Sequence, residues 1–364
     1  MTNFFFENIF NAVEIDSKLY FAPANYPYLF TVDRANDWKV ACVCELPWKS
    51  RPDGVQCILI NNCIYCVSLS GLQICCYDLK SSLITYYDIE EESNRWNLCA
   101  EYKDREIYIY SHNLEDALVH FSIEKEQFYF DASIYETLNV DLQYKEVFFH
   151  SVSNGILYML IRYTNQIITM NLLSKDVGIL EVPTEELLFY IEVKEDEILF
   201  TTENECKLVI WNRTTGMCNC YKDVKNTEER FISVHKVNKH IILTDSENLK
   251  IFDGHDFLSF TIDNYYNLRK TGSFFVSILK NDEDAILMPW NANAICELKN
   301  DSIKTHDIKC PQSVSFRRHI LTENDITLTE FIAVMKEQTD IPHVYRTKEN
   351  VGSKIHKMII EDKL

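Results

Sequence analysis

Short apolar strands alternate with polar turns along this chain at a regular interval. An apolar segment closed by a polar residue recurs as Leu29-Phe30-Thr31-Val32-Asp33, Ile74-Cys75-Cys76-Tyr77-Asp78, Leu118-Val119-His120-Phe121-Ser122 and Ile167-Ile168-Thr169-Met170-Asn171. It continues as Leu208-Val209-Ile210-Trp211-Asn212, Leu249-Lys250-Ile251-Phe252-Asp253 and Ala294-Ile295-Cys296-Glu297. The polar positions 33, 78, 122, 171, 212, 253 and 297 are separated by 45, 44, 49, 41, 41 and 44 residues, which makes seven copies. About 10 to 12 residues before each copy lies a second strand rich in β-branched and aromatic residues, such as Ile64-Tyr65-Cys66-Val67 or Ile156-Leu157-Tyr158-Met159. A period of this length holds one supersecondary unit per repeat, so the repeats are read before any single element.

Four short strands in every 40 to 45 or so residues predict an all-β chain built as a seven-bladed β-propeller of four-stranded antiparallel blades. Each sheet there is covered on both faces by its neighbours, which explains strands that read as nearly continuous apolar runs. The turns agree: Asn212-Arg213-Thr214-Thr215-Gly216 supplies an Asx-type turn and a glycine able to take positive φ, joining a third strand to a fourth. An unrelated two-domain β-sandwich with strands at chance spacing is the competing reading. In its aromatic–Asp pairs and Thr-Gly turn the chain resembles the broad group of propellers with WD-like or quinoprotein-like repeats. The Gly-His pair of WD repeats and the double glycine of kelch repeats are absent, so the resemblance stays at the superfamily.

The propeller is assigned to residues 1–320 and a short helical tail to 321–364. Thr327-Leu328-Thr329-Glu330 has the capping-box spacing, and Leu328, Phe331, Ile332 and Met335 share one helical face. Val351, Ile355, Met358 and Ile359 mark a second helix, with Pro342 in the connection. Their apolar stripes are expected to cover the propeller or to dock a partner.

With 46% hydrophobic and 13% aromatic residues the chain can bury a large core. Its formal net charge of −19 and pI near 5.0 argue against a nucleic-acid or anionic-membrane binder, which must neutralise phosphates with Lys and Arg. No basic, apolar and small-residue leader pattern opens the sequence, and no apolar run reaches the roughly 18 residues of a membrane span. A cytoplasmic protein with reduced thiols is therefore expected. Its thirteen cysteines then serve as small buried hydrophobes.

Catalytic and metal sites would show in residue spacing. Cys63 and Cys66 have C-x-x-C spacing, but in a strand residues three apart face opposite ways and cannot share one ion. Cys42/Cys44 and Cys218/Cys220 are expected to share a face within their strands, without further ligands nearby. None of the eight glycines builds a phosphate loop, and no G-x-S-x-G elbow or H-E-x-x-H pair is present. No cofactor and no metal is expected on these grounds. Were a metal held at the channel mouth by several blades, Asn94, Asn165, Glu203, Asp245 and Asn291 would be the available oxygen ligands.

One pattern does carry chemistry. In a propeller the connections between blades gather on one face beside the central channel, so residues at one register form a ring. Counted from the polar repeat positions, Arg51, Arg95, Arg230 and Lys270 fall 17 or 18 residues on, with Arg269 adjacent. Such a ring would focus positive potential on an anionic ligand or an acidic peptide, with Trp96 and Trp290 as stacking surfaces. The competing reading pairs these cations with acidic loop residues such as Asp53, Glu228 and Glu229. The expected function is a non-catalytic binding or scaffold module for a protein, peptide or anionic small molecule. The alternative is an enzyme acting on an anionic small molecule, sugar or peptide at the same channel mouth.

Overall fold

The computed structural model describes residues 6–7, 9–92, 94–138, 142–225, 230–237, 239–245, 249–260, 275–280, 284–289, 291–292, 294–299, 302–308 and 311. Among them, seven four-stranded antiparallel sheets follow one another in chain order, spanning 13–45, 55–89, 97–133, 147–181, 188–222, 233–260 and 275–307. These are the seven blades, numbered 1 to 7. The first strands of successive blades pack against one another, which places them around the central axis and the fourth strands at the rim. The chain is thus a seven-bladed β-propeller. The proposed helical tail, including Leu328 and Ile355, lies outside the described residues.

The polar repeat positions have a local job. Asp78, at the end of the third strand of blade 2, accepts the backbone N–H groups of Lys80 and Ser81 on its carboxylate at 2.8 and 2.9 Å. The amide oxygen of Asn171 does the same for Leu173 and Ser174, and the carboxylate of Asp253 for His255 and Asp256. Asn212 accepts from Thr215 at 2.9 Å, and Gly216 follows at φ 72°, a conformation that glycine adopts without steric cost. The carboxylates of Asp78 and Asp253 are held below the usual range by these backbone donors.

Around the axis the first strands are cross-linked by side chains that imitate a strand partner. Asn11, two residues ahead of the first strand of blade 1, exchanges two hydrogen bonds with the backbone of Cys57, at 2.7 and 2.8 Å. Gln56 does so with Ala100 of blade 3, at 2.7 and 2.8 Å. Farther round, Val193 N–H donates to Ser151 at 2.9 Å and Lys236 N–H to Glu192 at 3.1 Å. A second set of links joins adjacent blades at one end of the strands: Gly71 donates to the Arg95 carbonyl, Asn97 to Leu69, Leu114 to Lys145 and Val147 to His112. Backbone groups beside the channel are thereby satisfied without a continuous sheet.

The ring closes through the N-terminal segment. Phe6–Glu7 pairs antiparallel with Asn291–Ala292 between the second and third strands of blade 7. The Phe6 ring, fully buried, meets Phe21 and Phe30 of blade 1 edge-on at 5.3 and 5.1 Å and belongs to a cluster holding Ile286 and Met288 of blade 7.

Two sequence expectations about cysteine are corrected, the first being burial throughout, because Cys220 is exposed on the fourth strand of blade 5. Cys42 and Cys44 do not share a face, because a bulge between the Cys42–Phe30 and Cys44–Leu29 pairs turns the strand. Cys42 packs on the cluster between blades 7 and 1, whereas Cys44 packs between blades 1 and 2. Cys63 and Cys66 do face opposite ways, into the clusters on either side of blade 2. Burial pushes the thiols of Cys44, Cys75 and Cys99 well above their ordinary range, as inert core groups require.

Candidate functional site

Antiparallel four-stranded blades put the inter-blade connections and the turns between second and third strands on the same face. On that face a groove of about 690 Å³ lies over blades 3 and 4, lined by Arg95, Trp96, His112, Phe130, Phe148 and Arg162 among others. A narrower cleft of about 90 Å³ shares Phe148 and Arg162 with it and adds Phe189, Glu203 and Arg230 from blades 5 and 6. A third hollow, of about 570 Å³, includes Tyr163, Asn165 and the Thr184–Leu187 segment. The three form an arc on one side of the face.

The expected ring residues separate into different roles. Trp96 is 64% exposed on the groove wall. Arg95, its neighbour, is only 7% exposed: Nε donates to Asn97 at 2.9 Å and a terminal nitrogen to the Ala117 carbonyl at 2.8 Å. Desolvation pulls its pKa down, and it braces the connection against blade 3 with part of its surface on the groove. Arg51 donates through Nε to the Ala24 carbonyl at 3.1 Å, over blades 1 and 2, apart from the arc. Arg230 lines the narrow cleft with its guanidinium 3.9 Å from the centre of the Phe189 ring and 2.8 Å from Glu203. Arg269, Lys270 and Trp290 lie outside the described residues.

Arg162 is a site residue that the sequence reading missed. It follows the second strand of blade 4, Ile156–Ile161, and its N–H donates to the carbonyl of Glu146, just before the first strand. The same bond joins Leu69 to Gly54, His112 to Trp96 and Glu203 to Leu187. Residues 69, 112, 162 and 203 therefore share one register at the channel mouth, and in blades 3 to 5 that register is polar. The signal was available: it is the residue after each β-branched second strand.

The Arg162 guanidinium lies 4.3 Å from the Phe148 ring and 4.4 Å from the Tyr163 ring, and 3.0 Å from Glu146. His112 places Nδ1 2.5 Å from the Val147 carbonyl oxygen, so that nitrogen carries the proton and donates. Burial lowers the pKa of His112, which favours the neutral ring. Lys145 adds a further cation on the same face, 2.6 Å from Glu115 and 4.1 Å from the Tyr135 ring. Asn165 donates both amide hydrogens to carbonyls of Val182 and Thr184, so it braces a loop. Among the described residues, no group of three or more His, Cys, Asp or Glu side chains converges as a metal site.

No protein-family model matches the chain, and no curated protein sequence matches it. Solved structures do match in fold. A streptogramin B lyase superposes with a TM-score of 0.59 at 12% identity, covering 82% of this chain and 94% of its own. YCF48 bound to a D1 peptide gives 0.60 at 9% identity, covering 85% and 94%. BamB from Moraxella catarrhalis gives 0.51 at 10% identity, covering 84% and 86%. At such identity the likeness shows the propeller fold alone.

Proposed function

We propose that this chain is a non-catalytic binding propeller whose connection face takes up an acidic segment of a protein or peptide partner. Similar folds include a lyase and a propeller bound to a peptide, so the fold does not choose between catalysis and binding. The observation that supports binding is the convergence of Arg162 and Arg230 on one cleft, each with its guanidinium over a phenylalanine ring. A guanidinium offers five donors in a fixed plane, and each of these two has only one carboxylate beside it among the described residues. Donor positions on both thus suit carboxylates from an acidic segment. The groove beside it offers Trp96 and Phe130 to apolar or aromatic side chains of the same partner, as binding surfaces enriched in Trp and Arg do. In a chain of net charge −19, attraction has to come from this local geometry rather than from long-range steering.

Fluorescence anisotropy of a labelled poly-glutamate peptide, against poly-glutamine of the same length, tests the reading. Saturable binding of the acidic peptide alone is expected, weakened by added salt at the contacts. Equal affinity for the two peptides would remove the acidic-partner assignment.

A further inference from the structure

Both cleft arginines already hold a carboxylate of their own chain. Among the described residues Glu146 pairs with Arg162 and Glu203 with Arg230, and neither carboxylate has a second cation. Glu203 sits at the register that Arg162 holds in blade 4, while Glu146 immediately precedes the first strand of that blade. Glu203 thus lines the narrow cleft with Arg230, whereas Glu146 lies on the wall of the adjoining groove beside Arg162, and each arginine they pair with lies over a phenylalanine ring.

Resting on the acidic-partner reading, we infer that Glu146 and Glu203 are internal counter-anions, which fill a two-arginine clamp until an acidic segment displaces them. The rings fix each guanidinium whether or not its glutamate is bound, so the clamp stays formed when the carboxylates swing out. The Arg162–Glu146 pair is exposed and therefore weak, the Arg230–Glu203 pair is half-buried, and the side chains of both regain rotamer freedom on release. A lone small anion that replaces one glutamate gains no net neutralisation. A segment with two carboxylates replaces both, and its second contact is intramolecular, so it gains from effective concentration. The clamp thus selects multivalent acidic ligands against free anions.

The test uses the full chain, the double variant Glu146→Gln/Glu203→Gln, the single variant Glu146→Gln and the double variant Arg162→Ala/Arg230→Ala, with labelled poly-glutamate as probe and inorganic phosphate as competitor. Removing each counter-anion is expected to tighten poly-glutamate binding by about two- to five-fold, the worth of an exposed ion pair. It should also let phosphate compete where the unaltered chain resists it. Binding by the glutamine variants alone likewise supports the inference. It is overturned if the glutamine variants bind poly-glutamate no better than the unaltered chain, or fall to the level of the arginine variant, which would make Glu146 and Glu203 props for the arginines. Absence of binding by every protein overturns the acidic-partner reading itself, and the inference with it.

Discussion

The guanidinium of Arg162 lies 4.3 Å from the centre of the Phe148 ring, joining the end of one strand of blade 4 to the start of another. Cation–ring contacts at partly exposed positions are worth about 0.5–1 kcal/mol. Here the contact also fixes a plane of donors at the mouth of the channel, which is why it matters to binding more than to stability.

Trp96 and Arg95 are adjacent but should respond in opposite ways to truncation. Trp96→Ala removes an exposed groove wall, so a loss of peptide affinity with little change in denaturation midpoint is expected. Arg95→Ala strips donors from Asn97 and the Ala117 carbonyl, and a loss of roughly 1–3 kcal/mol in urea unfolding is expected. Unchanged stability in the second variant would mean that Arg95 is not a brace.

Gln56 serves both backbone groups of Ala100 across the blade 2–3 boundary. Gln56→Leu leaves that buried N–H and carbonyl without their partner, at a cost of about 1–3 kcal/mol by chemical denaturation. Because each blade leans on its neighbours, hydrogen exchange at Ala100 should speed up with it.

Phe6 closes the ring, and Phe6→Ala is expected to cost about 3–5 kcal/mol, the range for emptying a buried aromatic site. Limited proteolysis should then cut first near blades 7 and 1. Cleavage elsewhere at an unchanged rate would show that closure does not depend on this ring.

Two half-buried groups on first strands give opposing pH dependence. Burial raises the carboxyl of Glu101 to about 7 from an ordinary 4.5. A raised carboxyl pKa means the folded chain holds the proton longer, so stability is full below the unfolded value and falls as pH rises from about 4.5 through 7. His150 is lowered to about 4 from 6.5, by burial first and by nearby His112 second, so its contribution is lost as pH falls from 6.5 through 4. Glu101→Gln should remove the first slope, leaving stability that rises from pH 4 to 6.5 and gaining up to roughly 3 kcal/mol above pH 7. Urea unfolding at several pH values checks it, and an unaltered profile would contradict the placement of Glu101.

What the sequence made legible was what local chemistry determines. Asp78, Asn171, Asn212 and Asp253 could be read as turn markers because each side chain bonds N–H groups two or three residues ahead. Arg95 and Arg230 were found by counting from those markers, yet their contrasting roles depend on Ala117, Phe189 and Glu203, which no local spacing connects to them. Arg162 is not legible from the blade connections because it is the residue after the second strand, at a different register. The face of Cys42 was misread because a bulge adds one residue and leaves no mark in an apolar strand.

The most direct test of the two-arginine cleft is charge reversal. Arg162→Glu/Arg230→Glu, with unchanged far-UV dichroism and melting behaviour, is measured by anisotropy against labelled poly-glutamate and poly-lysine. The variant is expected to lose the acidic peptide and gain the basic one. Retained affinity for poly-glutamate in the folded variant would contradict the account.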